Sequence, residues 1–192
     1  MMAPAVLDRP KAKTDAPAKM KHGDDPLFEV VKGQRVELEN MSSYSNQLAT
    51  DLVIALANYA REKNLGTALS EALVSIPVKH DADNQRRPDV AYLSKERWPL
   101  SRRAPDTDPW PAVPNLAVEV LSPNDRIQEV TDKIHEYFEA GVELVWVVNP
   151  RRETVSVYTS AQQVTILGKS DTLTAGEVIP GFALPLGQLF RT

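Results

Sequence analysis

The chain of 192 residues is 42% hydrophobic and 25% charged, an ordinary globular balance that excludes wholesale disorder and is long enough to bury a core. It has no cysteine, which excludes disulfides and thiolate metal sites and fits a cytoplasmic protein, and no run approaches the roughly 20 apolar residues needed to span a bilayer. A net charge of −4 and a pI near 5.4 mean that nucleic acid, if bound, is bound by a local patch and not by the overall field.

Residues 1–25 read as a flexible tail ahead of a domain over 26–192. Ala3, Pro4, Pro10, Ala16 and Pro17 mix there with Lys11, Lys13, Lys19 and Lys21, with almost no large apolar residues. Such a segment buries too little surface to offset its ordering entropy, and it lacks the apolar run of a signal peptide. It is either a solvated tail or a basic arm. From Leu27 to Leu38 the pattern predicts a hairpin turning at Gly33. Ser42 or Ser43 caps a predicted helix reaching about Asn64, with Leu48, Leu52, Ala55, Leu56, Tyr59 and Ala60 on one face and Gly66 as its stop. Short strands are predicted over 72–78 and 89–93. Five prolines between Pro99 and Pro114 forbid regular structure, so that stretch is a long loop of the kind that often carries function.

The run Asn115–Leu121 is short and apolar enough for a buried strand. Ser122-Pro123-Asn124-Asp125 suits a helix start, with Ser122 as N-cap and Pro123 at the first position, and Gly141 is the stop. The inward face of this helix reads Ile127, Val130, Ile134, Tyr137 and Phe138. Strands follow at 143–149 and 153–159. Strand–helix–strand connectivity over 115–149 makes this an α/β protein with at least one parallel strand pair.

Glu119 is the strongest anomaly. It is embedded in Leu116-Ala117-Val118-Glu119-Val120-Leu121, and the residues sharing its face, Ala117 and Leu121, are apolar. A buried carboxylate needs a partner, a proton or a metal. The alternative is a single solvent-facing position. Asp89, in Arg86-Arg87-Pro88-Asp89-Val90, starts a strand beside two arginines; alone it is a turn residue or an ion-pair partner. Two such carboxylates on neighbouring strands supply oxygen donors suited to a hard cation such as Mg²⁺. Lys133 lies at the edge of the helix's inward face. About 10 Å of strand and 15 Å of helix from the turn at Ser122 allow its ammonium to come level with Glu119, the alternative being a solvated boundary lysine. A lysine beside a metal is expected to have a lowered pKa, suited to activating water.

Pro88-Asp89-Val90, Val118-Glu119-Val120-Leu121-Ser122-Pro123, Asp132-Lys133 and Ala140-Gly141-Val142 followed by Val145-Trp146-Val147-Val148 resemble the Uma-two family of restriction-endonuclease-like proteins, within the PD-(D/E)XK nuclease superfamily. The resemblance covers about residues 27–190. It implies a restriction-endonuclease-like core, a mixed β-sheet flanked by helices. It further implies Mg²⁺ (with Mn²⁺ as substitute) held by Asp89, Glu119 and the carbonyl of Val120, with DNA as partner, no membrane, and a homodimer. Two positions depart from the superfamily pattern. Leu121 stands where a lysine is usual, so Lys133 is a migrated replacement, and Tyr44, Ser45, Asn46 and Gln47 begin the first helix without the glutamate many members carry there.

Two functions follow. One is a Mg²⁺-dependent endonuclease hydrolysing DNA phosphodiester bonds, with Asp89 and Glu119 on the ion and Lys133 orienting or deprotonating the attacking water. The other is a non-catalytic nucleic-acid or protein-binding module that keeps the fold, with Asp89 and Glu119 paired to arginine. Between Arg86 and Arg103, six basic residues stand against Asp89 and Glu96, and Trp98 and Trp110 lie nearby. This is either a phosphate-facing patch with stacking aromatics or a solvated loop. Asp81-Ala82-Asp83-Asn84 fails as a calcium loop, because Arg86 stands where glycine is required. His22, His80 and His135 are too scattered for a histidine metal site.

Overall fold

The computed structural model describes residues 26–191, so the tail expected over 1–25 lies outside the described residues. In chain order the elements are β1 (Phe28–Val31), β2 (Gln34–Glu37), α1 (Ser43–Glu62), β3 (Gly66–Ser70), β4 (Val74–Ser75), β5 (Gln85–Arg86), β6 (Val90–Ser94) and β7 (Leu116–Val120). There follow α2 (Ile127–Ala140), β8 (Leu144–Asn149), β9 (Thr154–Ser160), β10 (Gln163–Leu167), β11 (Thr172–Thr174), β12 (Ala183–Pro185) and α3 (Leu186–Leu189). A six-stranded sheet runs β10-β9-β8-β7-β6-β3. Within it β7 and β8 are parallel and every other neighbouring pair antiparallel, the mixed sheet expected from the α/β pattern. The hairpin β1–β2 belongs to a smaller sheet, β2-β1-β5-β4.

Both faces of the large sheet are covered, so its central strands alternate between two cores. Leu116, Val118 and Val120 join Leu144, Trp146 and Val148 against Leu48, Leu52, Leu56 and Ala60 of α1. Ala117, Val145 and Val147 face the other way, against Ile134 and Tyr137 of α2. Glu119 has the parity of Ala117, which directs it to the α2 side.

Two helix boundaries differ from the sequence reading. Ser42 caps α1 as expected, accepting the Ser45 N–H at 3.1 Å. The chain leaves that helix at Lys63 and Asn64, however, and Gly66 opens β3, a strand the sequence did not signal. Glycine is required at 66 because a Cβ there would clash with the Leu93 carbonyl oxygen. The second difference is at α2. Asp125 folds back to accept the Ser122 N–H at 2.7 Å, closing a separate turn, so the helix starts at Ile127 without a side-chain cap. Ile127, expected on the inward face, is therefore 86% exposed, whereas Ile134 and Tyr137 are buried. Gly141 ends α2 as expected, in the left-handed region at φ 96°. The strand expected over 72–78 shrinks to two residues because its backbone is engaged by the proline-rich loop: Ser75 N–H donates to Trp110 O, and Trp110 N–H to Leu73 O.

Candidate active site

Asp89 and Glu119 meet through strand register. Val90 pairs with Val118 across antiparallel β6 and β7, and one residue further the register sets Asp89 opposite Glu119. Directly opposed residues share a face of the sheet, here the face under α2. Asp89 Oδ2 accepts the Val120 N–H at 2.6 Å, which fixes its carboxylate against the end of β7. From α2, Tyr137 donates its hydroxyl to Glu119 Oε1, and Lys133 Nζ lies 3.2 Å from Glu119 Oε2. Lys133 and Tyr137 are one helical turn apart, so one stripe of α2 presents both.

The sequence did not single out Glu29. It sits 2% exposed on β1, with Oε1 3.0 Å from Lys133 Nζ and Oε2 2.8 Å from Arg86 Nη1. Arg86 continues to Glu136 through Nε at 2.6 Å and Nη2 at 2.9 Å. Glu29 carried the same signal as Glu119, a lone carboxylate within Phe28-Glu29-Val30-Val31, but on a hairpin whose docking the sequence could not reveal. Glu136 looked like any solvent-facing helical residue, and Tyr137 read as core.

The electrostatics follow from crowding like charges beneath a helix. Burial and then the facing Glu119 carboxylate push Asp89 up to about 8. Burial also holds Glu119 above the ordinary carboxylate range, with Glu29 adding to it and Lys133 opposing. Burial would raise Glu29 too, but Lys133 and Arg86 outweigh it and hold Glu29 low. For Lys133 burial works downward, yet Glu119 and Glu29 more than cancel it and hold the ammonium above the usual lysine range. Two carboxylates grip it and favour the ammonium, whereas the sequence expectation of a lowered lysine concerned Lys133 beside a bound metal ion.

Among the described residues, no arginine pairs with either strand carboxylate. Arg86 serves Glu29 and Glu136, and Arg87 binds Glu71 O and Asp108. The expected basic patch is dispersed for the same reason. Arg97 is bound to Glu143 and to the Val113, Pro114 and Gly141 carbonyls. Trp98 is buried edge-on to Trp110 at 5.0 Å, with Arg102 stacked over it at 3.9 Å. Arg102, Arg103 and Lys95 remain at the surface.

Among the described residues, no three histidine, cysteine, aspartate or glutamate side chains converge as a metal cluster. The donor set nevertheless suits a hard divalent cation. Asp89, Glu119 and the Val120 carbonyl offer only oxygen. With every group ionised, the connected cluster holds four carboxylates (Glu29, Asp89, Glu119, Glu136) against two cations (Arg86, Lys133), an excess of two negative charges. A dication would balance that excess.

No curated protein matches the chain. Among solved structures it is similar to one described as "a putative nuclease belonging to DUF820" from Anabaena variabilis ATCC 29413, with a TM-score of 0.74 and 18% identity over 86% of this chain and 90% of that one. At that identity the likeness speaks to the fold, the mixed sheet with flanking helices. The family described as "Uma2: Putative restriction endonuclease" matches residues 16–187. With nearly its whole length so matched, the chain belongs to the Uma2 family and has that family's restriction-endonuclease-like fold.

Proposed function

We propose that the protein is a divalent-metal-dependent nuclease that hydrolyses phosphodiester bonds of DNA, with Mg²⁺ held by Asp89, Glu119 and the carbonyl of Val120. The observation that carries the reading is the pair of half-buried Asp89 and buried Glu119, opposed across β6 and β7, with the Lys133 ammonium 3.2 Å from Glu119. Family membership supports nucleic acid as substrate. A metal bound there polarises a phosphoryl oxygen and lowers the pKa of its water.

The chain's own groups do the rest. The Val120 N–H and the Tyr137 hydroxyl each hold one carboxylate in place, so neither reorganises as charge develops. Lys133, kept protonated, orients water and offsets negative charge growing on the phosphate. Leu121 can do neither, being apolar and packed partly against the α2 core. Glu29 and Arg86 keep Lys133 at that depth.

The second reading, a non-catalytic module with the nuclease fold, is favoured by Leu121 at the usual lysine position. The deciding test is nicking of supercoiled plasmid and of single-stranded DNA with Mg²⁺ or Mn²⁺. Wild type should cleave, and Asp89→Ala, Glu119→Ala and Lys133→Met should not; a homogeneous wild type that never cleaves favours the binding module.

A further inference from the structure

A cavity of about 290 Å³ opens where β7 and β8 end. Three stretches wall it: Tyr44 in the first turn of α1, Leu121 and Pro123 just past β7, and Asn149, Pro150 and Arg151 leaving β8. Leu121 directly follows Val120, so the cavity opens past the end of the strand that carries Glu119, between that strand end and the first turn of α1. Its walls are tied together. Ser45, in the turn capped by Ser42, donates its hydroxyl to the Leu121 carbonyl at 3.0 Å, and Asn149 Oδ1 accepts the Arg152 N–H at 3.1 Å.

The lining has the chemistry of a nucleotide. A ring, two prolines and a leucine offer flat apolar surface, the Asn149 amide offers both a donor and an acceptor, and Arg151 is an exposed cation. The first turn of α1 carries no acidic side chain, and Asp125 on the adjoining turn is engaged by the Ser122 N–H. At 37% exposure Tyr44 is a large aromatic left open to this space and not spent on the core.

We propose that this cavity is a nucleotide subsite. It takes one unpaired nucleotide of the substrate strand, with the base against Tyr44 and the phosphate toward Arg151. The proposal rests on the nuclease reading. A base inside a duplex is stacked and paired and cannot enter such a cavity, so the subsite selects single-stranded or unpaired substrate.

The test is fluorescence anisotropy in EDTA, where no cleavage occurs, with a short labelled single strand and the blunt duplex of the same sequence. The single strand should bind about tenfold more tightly. Tyr44→Ala should weaken that binding about tenfold and Tyr44→Phe by less than about twofold, because the ring face carries the stacking. Arg151→Gln should weaken it and flatten its salt dependence, while Arg103→Gln, on the distant loop, should not. Melting temperatures check that each variant folds. Wild-type affinity in Tyr44→Ala, or equal affinity for duplex and single strand, overturns the subsite. If wild type never cleaves with Mn²⁺ but Tyr44-dependent binding persists, the nuclease reading fails and the subsite stands. If cleavage is intact and Tyr44→Ala is silent in both assays, the subsite alone fails.

Discussion

Replacing Asp89 with asparagine removes a charge while leaving an oxygen to accept the Val120 N–H, now 2.6 Å from Asp89 Oδ2. Without metal, Asp89 titrates near 8 in the folded protein against 3.8 for the free side chain. The folded state therefore keeps a proton that the unfolded chain releases, and between about pH 4 and pH 8 stability falls as pH rises. At pH 8 the full gap, at 1.36 kcal/mol per unit, sets a ceiling of about 6 kcal/mol. Asp89 is half-buried, and solvent with local relaxation reduces this to about 2 kcal/mol. Asp89→Asn should then stabilise the metal-free protein at pH 8 by about 2 kcal/mol, or roughly 4–8 °C in Tm. At pH 5, where wild-type Asp89 is already protonated, about a third of that gain should remain. Thermal unfolding in EDTA at both pH values, followed by circular dichroism, reads this out. A variant less stable than wild type at pH 8, or one gaining equally at both pH values, would show that burial and the facing Glu119 carboxylate do not raise Asp89 in the folded protein.

Lys133→Met should cut cleavage by about 10²–10³-fold, as removal of one fixed stabilising group does. It should also destabilise the protein more at pH 8 than at pH 5, because Glu119 and Glu29 lose their shared cation and can be relieved only by protons; equal cleavage rates would remove Lys133 from the chemistry. Arg126→Met should have little effect on either measure, since Arg126 is 81% exposed and, among the described residues, bound only to Glu129. Glu29→Gln should lower cleavage about 10–100-fold while leaving Mn²⁺ affinity, read by calorimetry, within about threefold, as expected for a residue acting through Lys133. Gly66→Ala should cost about 1–3 kcal/mol in urea unfolding, because its methyl would meet the Leu93 carbonyl.

The sequence disclosed most where a local rule and the tertiary environment agree. Glu119 among apolar neighbours, the apolar runs of β7 and β8, the Ser42 cap and the Gly141 stop could all be read from short windows, whereas the sheet flanked by helices came from the family resemblance. It disclosed least where a partner far along the chain decides the outcome. Gly66 looked like a helix stop because its need to avoid Leu93 is not local. Asp125 looked like the third residue of a helix, and its side chain instead closed a turn that displaced the helix start. Glu29 reaches Lys133 only because the β1–β2 hairpin docks on β5, a pairing 55 residues apart between Val30 and Gln85. The depth estimate that brought Lys133 to Glu119 survived the later helix start, since a strand and a following helix packed on it still run antiparallel.

The most direct measurement is a crystal soaked with Mn²⁺ and examined by anomalous scattering. An anomalous peak within about 2.0–2.6 Å of Asp89, Glu119 and the Val120 carbonyl oxygen, absent from an Asp89→Asn crystal treated identically, is the predicted result. No peak between the two carboxylates in crystals where Mn²⁺ occupies other positions, or a peak unchanged in Asp89→Asn, would contradict the assignment of this site as a metal-dependent catalytic centre.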